Sequence, residues 1–138
     1  MQDDNRAEPY VGPESIVGGT DQPQQLAVAV PPSGPPGTVV LRVTGELGYE
    51  TAALLRDALK ENAVARRVVV DCSGLRFCDS TGLKVLLKAR LRMLGGGGRL
   101  DLAGLRSPVA RMLEITGARM VFRVYGDVAE ALADVDSD

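Results

Sequence analysis

The side chains able to do chemistry form a restricted set: the 138-residue chain has no histidine and two cysteines, Cys72 and Cys78, and its most closely grouped reactive residues are Asp71, Asp79 and Ser80. Without an imidazole neither a Ser-His-Asp nor a Cys-His relay can be assembled, and the commonest zinc site loses its ligand. With no second cysteine pair, Cys72 and Cys78 make a poor metal site. They read as small core residues, with a redox-sensing pair as the other reading. Asp71 and Asp79 could act as a general-base pair. Carboxylates beside a helix start are as easily explained by capping and by binding basic groups on another protein. Ser80 lies between Asp79 and Thr81 at the head of a patterned segment. A hydroxyl there can serve as a phosphate acceptor, because a helix N-terminus offers free backbone donors and the positive end of the macrodipole. It can equally do no more than cap the helix. The residue types alone leave both roles open.

The elements that must position these groups follow from periodicity. The β-branched run Val68-Val69-Val70 predicts a strand ending in Asp71, followed by a short polar turn and a helix opening at Asp79 and Ser80. In that helix Leu83, Leu86, Leu87, Leu91 and Leu94 recur at three- and four-residue spacings and predict a buried stripe, with Lys84, Lys88 and Arg92 on another face. Gly95 to Gly98 ends it. This tetraglycine lacks a following Lys-Ser/Thr and precedes a strand, so a phosphate-cradling loop is a poor reading. Upstream, Leu26 to Val30 and Thr38 to Thr44 predict a hairpin whose connection, Pro31 to Gly37, suits only a loop. Glu50 to Ala63 predicts a helix with Ala52, Leu55, Ala58, Leu59 and Ala63 inward and Thr51 near its start. Downstream come a strand over Arg99 to Ala103 and a helix capped by Ser107 with Pro108 behind it, whose buried side is Val109, Met112, Leu113 and Ile115. A strand over Met120 to Tyr125 and a short helix over Asp127 to Ala133 complete the chain. Strands alternating with helices after an initial hairpin predict an α/β fold: a mixed sheet of about five strands with about four helices, antiparallel at its start and parallel afterwards.

An apolar fraction of 45 % with 25 % charged residues is that of an ordinary globular domain. The net charge of −2 hides an acidic start, since residues 1 to 23 carry five acids against Arg6. That segment predicts a disordered tail, the domain is expected over 24–134, and 135–138 form an acidic end. The remaining positive excess is small and scattered, and tryptophan is absent, which argues against direct nucleic-acid binding. No apolar run is long enough to span a bilayer, and the polar start lacks the pattern of a signal peptide, so the expectation is a cytoplasmic protein without membrane insertion.

Taken together, Val43-Thr44-Gly45-Glu46-Leu47, Asp71-Cys72-Ser73, Asp79-Ser80-Thr81-Gly82-Leu83 and Thr116-Gly117, in this order and spacing from about Val39 to Leu132, resemble the STAS domain of anti-sigma factor antagonists. In that family Gly-Glu-Leu is usually followed by Asp. Here the position is Gly48, which removes one carboxylate from the expected contact surface. By position, the resemblance implies that Ser80 is the serine phosphorylated by the partner kinase. It implies a partner-binding surface of Asp71, Ser73, Asp79, Ser80, Thr81, Gly82, Leu83 and Lys84, and no cofactor, because an anti-sigma factor with serine kinase activity supplies the ATP and a phosphatase reverses the step. The chain would then be a substrate and binding module, not an enzyme. A non-switching STAS module of a lipid transporter or of a sensory scaffold is the alternative.

Overall fold

Val68, Val69 and Val70 are β-branched and almost wholly removed from solvent, which places their strand in the middle of the sheet. A computed structural model describes residues 25–32 and 34–134. The tail predicted over 1–23 and the acidic end over 135–138 lie outside them. The central strand is β3 (Arg67–Cys78), with β1 (Leu26–Ala29) and β2 (Thr38–Leu47) before it, β4 (Arg99–Ala103) and β5 (Val124–Tyr125) after it. The strands stand in the order β1-β2-β3-β4-β5, the first pair antiparallel and the others parallel. Helices α1 (Ala52–Glu61), α2 (Ser80–Gly95) and α3 (Ser107–Thr116) make the parallel crossovers, and α4 (Val128–Ala133) closes the chain. This is the mixed α/β sheet the periodicities predict.

Strand alternation divides the core in two. Val68, Val70 and Cys72 face the apolar sides of α1, α2 and α3, whereas Val40, Val69 and Ala103 meet Ala131 of α4. A row of ion pairs shares the α4 side: Arg67 Nε and Arg99 Nε both donate to Asp101 Oδ2, at 2.9 and 3.0 Å. The Arg67 guanidinium also lies 5.5 Å from the centre of the Tyr125 ring.

Five expectations need correction, the briefest being Ile115: expected on the buried side of α3, it is 74 % exposed, because it follows Leu113 by two residues and so turns to the opposite face. The strand does not end at Asp71. Pairing with β4 stops there, but β3 continues to Cys78 against β2, with two register shifts that each take up an extra residue on β3. The leucine stripe is also rotated. Leu83 and Leu86 are buried, but Leu91 and Leu94 are 64 % and 46 % exposed, and the inward places are taken by Ala89 and Met93. Ala and Met at these positions extend the helical period of Gly82, Leu83 and Leu86 better than the leucines do, so periodicity outranks side-chain size. Of the strand predicted over Met120 to Tyr125, only Val124 and Tyr125 pair; Ala118–Met120 form a 3-10 turn that carries the chain to the sheet edge. Finally, Ser107 is the first helical residue of α3 and not its cap, a place taken by Arg106.

Candidate docking site around Ser80

Asp79 holds the site together. It precedes α2 in an extended conformation, its backbone N–H donates to Leu47 O at 3.0 Å, and its side chain divides its acceptors. Oδ1 accepts from Gly82 N–H at 3.0 Å, capping the helix, while Oδ2 accepts from Tyr49 N–H at 3.1 Å in the loop between β2 and α1. Thr51 fixes the other side of that loop: its hydroxyl donates to Glu46 O at 2.8 Å and accepts from Gly48 N–H at 2.9 Å. Thr51 therefore begins α1 by organising the preceding turn and makes no side-chain cap to the helix itself.

Two glycines allow this close approach. Gly45 has φ of 107°, and a Cβ there would lie 2.3 Å from Gln25 O, so only glycine lets β1 pair against the end of β2. A Cβ on Gly82 would lie 2.5 Å from Leu47 Cγ and 3.0 Å from Leu47 O, so the first turn of α2 sits directly on the end of β2. Gly82 and Leu83 thus face inward and support the site, whereas Ser80 and Lys84 face solvent and Thr81 is half-buried. The Ser80 hydroxyl has no hydrogen-bond partner among the described residues. The first turn of α2 has no acidic residue, and Lys84 stands one turn beyond Ser80 on the same side.

The structure separates the predicted site residues into two groups. Asp79, Ser80, Thr81, Gly82, Leu83 and Lys84 share the start of α2. Asp71 and Ser73 sit apart from them: Asp71 Oδ1 accepts from Ser73 N–H at 3.0 Å, Arg42 Nε lies 3.7 Å from the other oxygen, and Ser73 O accepts from Arg106 at 3.1 Å. They line a cleft of about 640 Å³ with Gly104, Ser107 and Asp127, formed by the β4–α3 and β5–α4 loops. The long β3 strand causes the separation, because seven residues of extended chain intervene between Asp71 and Asp79. Sequence reasoning missed the apolar rim. Tyr49 is 81 % exposed, and Leu54 and Phe77 are also exposed, with Arg76 beside them 3.7 Å from Glu46. Leu54 was the legible one, since it falls outside the apolar face of Ala52, Leu55, Ala58 and Leu59.

The two thiols are free and buried. Burial, with the Cys78 and Asp71 charges adding to it, pushes the Cys72 thiol up to about 12. Burial and then Asp79 push Cys78 up to about 12 as well. Both stay protonated near neutrality and lack thiolate reactivity, which favours the core reading. Among the described residues no group of His, Cys, Asp or Glu could hold a metal, and no helix is long and apolar enough to cross a membrane.

A mixed sheet with three helices on one face, and a helix whose capping aspartate ties its exposed first serine to the loop after β2, define a small α/β domain. The family model described as "Mlab, STAS domain" matches residues 32–123, and the chain belongs to the STAS-domain family. It is 29 % identical over 104 residues to the anti-sigma F factor antagonist of Paenibacillus polymyxa, covering 72 % of this chain and 88 % of that protein. Among solved structures, an anti-sigma factor antagonist from Mycobacterium paratuberculosis superposes with a TM-score of 0.73 at 27 % identity, over 84 % of this chain and 98 % of that one. The phosphorylated form of the Bacillus cell fate determinant SpoIIAA shares the fold, with a TM-score of 0.64 at 19 % identity over 80 % of this chain and all of that one.

Proposed function

We propose that this chain is an anti-sigma factor antagonist switched by phosphorylation at Ser80. Unphosphorylated, the surface formed by the start of α2 and the Tyr49 loop docks on an anti-sigma factor that is also a serine kinase, and a sigma factor is released. The observation that carries the reading is the placement of Ser80: an exposed hydroxyl with no internal partner, on the first residue of a helix whose cap is already supplied by Asp79. Because Asp79 does the capping, Ser80 is free for modification. Antagonists of known name among the relatives, and a fold neighbour solved in a phosphorylated form, support the assignment.

Phosphorylation adds about 1.5 to 2 negative charges. Within the chain these meet the positive end of α2 and Lys84, so the fold tolerates them. Across a desolvated interface they meet whatever acidic groups the partner presents, beside Asp79, and the complex separates. A phosphatase restores binding. The kinase and its ATP belong to the partner, so this chain is the substrate and needs no cofactor. The alternative, a STAS module of a transporter or scaffold that never switches, makes Ser80 an ordinary helix residue. Incubation with candidate anti-sigma kinases and ATP, read by intact mass and fragment sequencing, tests the proposal. One phosphate on Ser80 is the expected result, and no phosphate with any kinase that binds the chain would discard the switch.

A further inference from the structure

The end of the domain opposite Ser80 has its own chemistry. Helices α2 and α3 run from the carboxyl ends of the parallel strands back to the amino end of the next strand, so both finish at the same end of the molecule. There the connections leave large apolar side chains in water. Leu91 is 64 % exposed, Leu94 46 %, Ile115 74 %, Met120 89 % and Val121 43 %, and Val64 at the entry to β3 is 96 % exposed. Scattered exposed leucines are unremarkable in a soluble domain, but here six of the ten exposed large apolar side chains among the described residues gather at one end, which marks an interaction surface.

The charge at this end leans to the positive side. Arg66, Arg90, Arg92, Arg99, Arg119 and Arg123 stand there against Glu61, Asp101 and Glu114. Arg66, Arg92, Arg119 and Arg123 are exposed around the apolar group, and Arg90 is half-buried beside it. Asp101 is already bonded to Arg67 and Arg99, Asp134 is bonded to the Tyr125 hydroxyl, and Glu61 and Glu114 are the exposed acids nearby. A cleft of about 330 Å³ opens between α2 and the 3-10 turn, lined by Arg90, Arg99 and Arg123 together with Leu94, Leu100, Val121 and Phe122, and by Asp101, which is bonded to Arg99.

We infer that this end docks on an anionic phospholipid surface, with Leu91, Leu94, Met120 and Val121 entering the headgroup region and the arginines meeting phosphates. The exposed apolar side chains come from the last turns of α2, the 3-10 turn and Val121 after it, with arginines between them, an arrangement that suits the headgroup region of a fluid interface. The cleft, with an arginine wall and an apolar floor, has the chemistry of a lipid headgroup and the start of its acyl chain. No described helix is long and apolar enough to span the bilayer, and Ser80, at the opposite end of α2, is left away from it.

The test is sedimentation of the full chain with sucrose-loaded vesicles of phosphatidylcholine containing about 30 % phosphatidylglycerol, against vesicles of phosphatidylcholine alone. Binding to the anionic vesicles is expected, with a loss of at least tenfold for the double variant Leu91→Ser, Met120→Ser and for Arg92→Glu, Arg119→Glu. These side chains are exposed, so unchanged circular dichroism and thermal midpoints will show that the variants fold. Ser80→Asp should bind vesicles like the parent, which separates this surface from the regulatory one. Absence of binding to anionic vesicles at low salt overturns the inference, and so does binding that survives loss of Leu91 and Met120. Loss of anti-sigma factor binding in the same double variant, with vesicle binding retained, would assign the surface to a protein and overturn it as well.

Discussion

Asp79 gives one carboxylate oxygen to the α2 cap and the other to the Tyr49 loop, and this division has a direct consequence for its neighbour. Ser80→Asp and Ser80→Ala should both leave the fold within about 1 kcal/mol of the parent, because the cap belongs to Asp79 and an acid on the first turn suits the helix dipole. Binding should behave differently. A carboxylate at position 80 beside Asp79 should weaken affinity for the anti-sigma factor about a hundredfold, roughly 3 kcal/mol, while Ser80→Ala binds normally and resists the kinase. Calorimetric titration alongside urea unfolding reads both quantities; equal affinity for parent and Ser80→Asp would remove Ser80 from the interface. The thiols make a second prediction at this scale. Cys72 is raised in the folded state from 9.0 to about 12, so the unfolded chain ionises first. Its contribution to stability is whole below pH 9 and fades as pH rises towards 12, a loss on the order of 1 kcal/mol at pH 10. Urea unfolding at pH 8 and pH 10 should therefore show a shallower decline for Cys72→Ala than for the parent.

At the scale of elements, α2 shows what hydrophobic patterning can and cannot say. Leu86 is 2 % exposed and Leu91 is 64 % exposed, although both belong to one apparent leucine stripe. Leu86→Ala should cost about 2 to 5 kcal/mol, whereas Leu91→Ala should stay within about 0.5 kcal/mol. Comparable losses from the two in denaturant titrations would mean that the helix is rotated from the orientation described. The existence and order of most elements were legible in the sequence, because caps, glycines and β-branched runs are local signals. The facing of α2 was not, since it depends on Gly82 meeting Leu47 across 35 positions of chain. The length of β3 was hidden for a similar reason. Past Asp71 it reads as polar turn, and only pairing with β2 keeps it extended. The same miscount joined Asp71 and Ser73 to the Ser80 site, from which the structure separates them.

For the whole molecule, the buried charges on the α4 side carry more weight than their number suggests. Asp101 is 2 % exposed and receives Arg67 from β3 as well as Arg99 on its own strand, and one Arg67 nitrogen is buried without any hydrogen-bond partner. Asp101→Leu alone should lower stability by about 3 to 5 kcal/mol, because it leaves the Arg67 guanidinium buried and uncompensated. The double variant Arg67→Met, Asp101→Leu should recover most of that loss, since an apolar pair of similar volume avoids the desolvation altogether. Thermal and urea denaturation of the three proteins would check this. A double variant no more stable than the single one would mean that the cluster contributes through Arg99 and Tyr125 instead.

The sheet is bounded by its two briefest strands, four residues in β1 and two in β5. A long bare edge offers a ladder of unpaired N–H and C=O groups on which another chain can polymerise. Among the described residues either border is short, and Pro31 and Pro32 follow β1 after Val30, where they cannot donate to an added strand. On the proposed switch the domain parts from its partner and meets it again with its surfaces bare in between, and short borders leave little edge on which copies of it could join.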